Sequence, residues 1–104
     1  MHWVIHVTRD LYIRSAGAVI REQRERAGLT LSALADRIGW NRSRLHKYEN
    51  NDLALSFEAI EELARGLGQP PLALVLECLR FRFPQLRDEK SKTAKLLRQL
   101  VEAL

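Results

Sequence analysis

The chain has little cysteine and few aromatic residues: one Cys, two Trp, two Tyr and three Phe in 104 residues. A single thiol, Cys78, excludes an internal disulfide, and with no ligand-spaced partner it excludes a cysteine-based zinc site. It lies in "PLALVLECL", where the reading its neighbours favour is a small buried apolar group. With so few aromatics the core must be mostly aliphatic. No run approaches the ~20 apolar residues that a membrane span needs. The opening "MHWVIHVTRD" lacks the basic flank and long apolar stretch of a signal peptide. The expected compartment is the cytoplasm, with no membrane partner. His2 and His6 share one side of an alternating segment, but no carboxylate or cysteine cluster joins them, so no metal and no other cofactor is expected.

What is present reads as one soluble globular domain, 46% hydrophobic and 29% charged. The formal net charge of +4 suits a polyanionic partner without requiring one. Trp3, Ile5 and Val7 alternate with Val4, His6 and Thr8, a strand pattern. Nothing else reads as β, so residues 1–10 form an extension that is either disordered or paired with a copy of itself across a dimer.

From Asp10 onward the spacing turns helical. Ile13, Ala16, Gly17, Ile20, Arg24 and Ala27 recur at three and four, with Asp10 as N-cap and Gly28 as stop. Thr30 caps a second helix carrying Leu31, Leu34, Ala35 and Ile38, which Gly39 ends. Asn41 caps a short third helix running to Glu49. Ser56 caps a fourth, with Phe57, Ile60, Leu63, Ala64 and Leu67 inward and Glu58, Glu61, Glu62 and Arg65 outward. Pro70 and Pro71 open a fifth, Leu72 to Leu79, apolar nearly all round apart from Glu77. "RFRFPQLRDEK" reads as a linker. Residues 89–104 read as an amphipathic helix whose Leu97, Leu100, Val101 and Leu104 stripe either folds back or pairs with a second chain.

The third helix is unusual, because it is short and strongly basic. On a wheel of about 100° per residue, Leu45 and Tyr48 fall on one narrow arc that must be buried. Arg42, Ser43, His46 and Lys47 fall roughly opposite, Arg44 lies on the flank, and Glu49 lies near the buried edge. Glu49 is therefore the expected partner for Arg24, which sits on an apolar stripe where a lone charge is costly. Breaking such a pair from one side costs roughly 3–5 kcal/mol.

Two helices joined at Gly39, the second small and polar outside, make a helix-turn-helix arrangement. Residues 19–69 resemble the Cro and lambda-repressor (XRE-type) DNA-binding domain family. The resemblance rests on Ile20-Arg21 with Arg24, Gly28-Leu29-Thr30, Leu34-Ala35 with Gly39, Leu45 with Tyr48-Glu49, and Ala64 with Leu67-Gly68. It implies an all-α, lambda-repressor-like five-helix bundle over residues 11–80. To this bundle the chain adds the N-terminal extended segment and, at 81–104, the linker and extra C-terminal helix. It also implies that Arg42 to Glu49 is a recognition helix entering the major groove of double-stranded DNA.

Carried over residue by residue, the resemblance makes Arg42, Ser43 and Lys47 base contacts, and Arg44 and His46 base or backbone contacts. It makes Thr30, Asn41 and Asn50 phosphate contacts, and Arg24 with Glu49 a structural ion pair. Three positions depart from the family pattern. Leu31 replaces a common glutamine, Asn51 a loop glycine, and Asp52 a common basic residue. No nucleophilic set or paired carboxylates are present, so the expectation is not an enzyme. The implied function is that of a transcriptional regulator, a repressor bound as a homodimer to a palindromic operator. The alternative the same fold implies is an antitoxin or protein-interaction module with a toxin or other protein as partner.

Overall fold

The computed structural model describes residues 12–88, together with Lys92, Lys95, Leu96, Arg98 and Gln99. The expected strand at residues 3–8 and the Leu97, Leu100, Val101 and Leu104 stripe lie outside the described residues.

Five α-helices form the body: α1 (Gly17–Arg26), α2 (Leu31–Ile38), α3 (Arg42–Glu49), α4 (Phe57–Leu67) and α5 (Pro71–Arg82). This is the all-α, lambda-repressor-like bundle that the resemblance implies, with a small two-stranded sheet added to it. Local chemistry sets most boundaries. The side chains of Thr30, Asn41 and Ser56 each accept from the backbone N–H three residues on, at 3.0, 2.8 and 3.0 Å. Gly39 closes α2 at φ 73°, a left-handed conformation that costs glycine little, and so permits the sharp turn into α3.

The start of α1 differs from expectation. The helix begins at Gly17, not just after Asp10, and three residues separate it from Tyr12–Ile13, which form a strand, β1. It pairs antiparallel with β2 (Leu55–Ser56), Tyr12 opposite Ser56 and Ile13 opposite Leu55. Strands of two residues show no periodicity, so the spacing of Ile13, Ala16 and Ile20 mimicked one helical face. Ser15, at φ 59°, breaks the chain direction between strand and helix.

The C-terminal side also differs. α5 runs on to Arg82, and the segment expected as a linker folds into a 3-10 turn, Pro84–Arg87, that buries Leu86. α5 buries only the Leu74 and Cys78 stripe completely, while Val75 and Leu79 are half-buried on its flank. It therefore lies against the side of the bundle.

The centre is aliphatic: Ile20, Leu34, Leu45, Leu55, Ile60, Leu63 and Leu74 are fully buried. Each contributes roughly 1.5–3 kcal/mol through removal from water. α1 and α2 pack against α3, which buries only Leu45, Tyr48 and Glu49 and so is attached by one narrow face.

Candidate nucleic-acid interface

Leu45 is completely buried and Tyr48 and Glu49 nearly so, whereas Arg42, Ser43, Arg44, His46 and Lys47 are all exposed. The helix is thus anchored through one narrow arc and turns its donors outward. Among the described residues neither Arg42 nor Lys47 is held in an ion pair.

Helix α3 is held from below by a buried ion pair. Arg24 donates from Nε to Glu49 Oε2 at 2.7 Å and from Nη2 to Oε1 at 3.0 Å. Its Nη1 donates to the Leu29 carbonyl at 2.9 Å. The two side chains are only 12% and 4% exposed. The hydrogen-bonded Glu49 carboxylate raises the Arg24 pKa above the usual arginine value, outweighing the opposing effect of burial. The fork geometry explains why arginine stands here: lysine cannot bond both carboxylate oxygens and a carbonyl in one plane.

The helix starts supply backbone donors. Thr30 and Asn41 spend their side-chain oxygens on the N–H groups of Ala33 and Arg44. That leaves the N–H groups of the two residues between, Leu31 and Ser32 in α2 and Arg42 and Ser43 in α3, with no intrahelical acceptor. Both helix starts therefore present free backbone N–H groups at the positive end of a helix dipole. Asn50 follows α3, and its side-chain amide nitrogen lies 2.7 Å from His46 Nε2.

Arg44 is placed differently. Its guanidinium carbon sits 4.0 Å from the centre of the Trp40 ring and 5.9 Å from that of Tyr48. Trp40 Nε1 donates to Glu62 Oε2 at 2.8 Å, and Arg44 Nη2 stands 3.9 Å from the same oxygen. Sequence reasoning passed over Trp40 and put Glu62 on the outward face of α4. The available signal was an aromatic residue just before the N-cap, four residues ahead of an arginine.

Residues 15–76 match the family model described as a helix-turn-helix domain, and the chain belongs to that family. It is 34% identical over 80 residues to a protein of Methanoculleus marisnigri that carries the name of an HTH-type transcriptional regulatory protein. That match takes in 72% of this chain but 24% of the relative, so the chain spans about a quarter of the relative's length. Among solved structures it resembles an XRE-family like protein from Pseudomonas syringae pv. tomato, with 29% identity, a TM-score of 0.58, and 77% of this chain and 94% of that one covered. It also resembles the clp gene regulator ClgR from C. glutamicum, with 25% identity, a TM-score of 0.57, and 62% and 83% covered.

Proposed function

We propose that this chain is a sequence-specific, double-stranded DNA-binding regulator, a cytoplasmic repressor acting as a homodimer on a palindromic operator. The observation that carries the reading is the outward arc of α3, where Arg42, Ser43, His46 and Lys47 are exposed on a helix anchored by Leu45 and Tyr48. In this reading α3 lies in the major groove. Arg42 and Lys47 donate to guanine O6 and N7, Ser43 reaches a neighbouring base, and His46 meets a base or the backbone. The helix starts at Thr30 and Asn41, together with Asn50, hold phosphates and fix the register. The DNA-binding unit comprises residues 11–80, flanked by 1–10 and 81–104. The proposed action is non-enzymatic, by occlusion of the bound DNA.

Selection of the purified chain against a random duplex library, followed by sequencing, tests this. An enriched inverted repeat is the expected outcome, and its half-site spacing reports the dimer geometry. No enrichment at low salt from folded protein overturns the reading.

A second reading, a protein-interaction module such as an antitoxin, draws support from a groove of about 360 Å3 between β1, α4 and α5. Tyr12, Phe57, Val75, Leu79 and Phe83 line it. Salt separates the two: phosphate-dominated binding weakens steeply as salt rises, and apolar binding does not.

A further inference from the structure

Arg44 lies between the bases' side of α3 and the protein body, and its surroundings differ from those of Arg42 and Lys47. The Trp40 and Tyr48 rings lie with centroids 5.2 Å apart and planes inclined by 33°. The Arg44 guanidinium caps this pair from the Trp40 side. Trp40 is itself nearly buried, and its indole N–H is committed to Glu62 of α4. Ring, carboxylate and cation thus form one closed contact that spans the turn, α3 and α4.

We propose that Arg44 is a positioning residue for DNA recognition and not a DNA contact. It clamps the first turn of α3 to the Trp40 turn and to Glu62, and so sets the angle at which Arg42, Ser43 and Lys47 are presented. The inference rests on the DNA-binding reading above and assigns one exposed arginine of α3 a different task. Three features carry it. A planar guanidinium gains from stacking on an indole face, which an ammonium does to a lesser degree. The Glu62 carboxylate beside it offsets the charge that would draw a phosphate. The Arg44 backbone N–H is already held by Asn41 Oδ1 at 2.8 Å, so this residue joins the cap of α3 to the ring beneath it. A phosphate would compete for the guanidinium with the Trp40 face and the Glu62 carboxylate.

The test uses the full chain with Arg44→Ala and Arg44→Lys, titrated with the duplex enriched by selection and with a scrambled duplex of equal length, over a range of salt. Both variants are expected to lose about tenfold in the ratio of specific to scrambled affinity. The slope of log affinity against log salt is expected to stay at the wild-type value. Without DNA, the Trp40 indole N–H resonance, assigned with Trp3→Phe, is expected to shift in both. If Arg44 instead meets a phosphate, Arg44→Ala lowers the slope by about 0.9 and Arg44→Lys restores both slope and affinity. That result, or an unchanged ratio in both variants, overturns the proposal while the DNA-binding reading stands. A wild-type chain that binds neither duplex overturns both. Should Arg44→Ala fail to fold, Arg44→Lys alone decides between stack and phosphate.

Discussion

Gly17 donates its backbone N–H to the side-chain oxygen of Asn51 at 2.9 Å, which ties the first residue of α1 to the loop that leaves α3. The approach is so close that a Cβ on Gly17 would overlap the carbonyl oxygens of Tyr48 and Glu49. Asn51 holds φ 64°, where asparagine is tolerated and most side chains are strained. The end of the helix that faces outward is therefore fixed by a contact no sequence spacing marks. Gly17→Ala is expected to destabilise the chain by at least ~2 kcal/mol, because the obstacle is backbone. Asn51→Gly removes one hydrogen bond, about 1 kcal/mol. Asn51→Ala adds backbone strain and should cost ~2–3 kcal/mol in all. Thermal melts of the three variants check this order.

Arg24→Ala strands the Glu49 carboxylate and the Leu29 carbonyl, and should cost roughly 3–5 kcal/mol. Replacing both partners together, Arg24→Met with Glu49→Leu, should recover most of that loss, since no buried charge is left unpaired. A double variant as unstable as Arg24→Ala would show that the pair is not what holds α1 to α3. The raised Arg24 pKa carries a sign: its stabilisation is fully present below the ordinary arginine value and is lost only as pH climbs past the higher folded one. Its share of stability is thus constant through the neutral range.

Arg42→Ala and Lys47→Ala should leave melting unchanged, within ~0.5 kcal/mol, because both side chains are exposed. Each should remove ~1–3 kcal/mol of discrimination between the selected duplex and one altered at a single guanine. Competition binding at fixed salt measures the difference.

Burial, aided by the neighbouring Glu77 carboxylate, pushes the Cys78 thiol up to about 12. The unfolded chain ionises this thiol near its ordinary value and the folded chain does not, so its contribution is complete below that value and is lost as pH rises toward the folded one. Stability should fall by about 1.4 kcal/mol per pH unit across that window, and Cys78→Val should lack this slope. Thiol reagents at neutral pH should label Cys78 only as fast as the chain unfolds.

Much of the site can be read along the chain because its chemistry is local. The N-caps Thr30, Asn41 and Ser56, the stop at Gly39 and the single buried arc of Leu45 and Tyr48 each depend on neighbours a few residues away. Even the long-range partner of Arg24 could be inferred, since a charge on an apolar stripe needs a countercharge and Glu49 lies at the edge of a buried arc. β1 was not legible, because two residues carry no alternation and Tyr12–Ile13 becomes a strand only where β2 is brought beside it. Nor was the span of α5, whose last turn is held by the fold of Pro84–Arg87 against it.

The sequence by itself determined that these helices exist, where α2, α3, α4 and α5 start, and which face of α3 is polar, because caps and helical periodicity act within a turn or two; the start of α1 it did not. Only the tertiary structure decided what each basic side chain of that helix meets. The wheel puts Arg44 on the flank of α3 but does not say what it meets there, an indole from the preceding turn and a carboxylate from α4. Stacking and ion pairing between elements depend on distances that no spacing within one helix specifies.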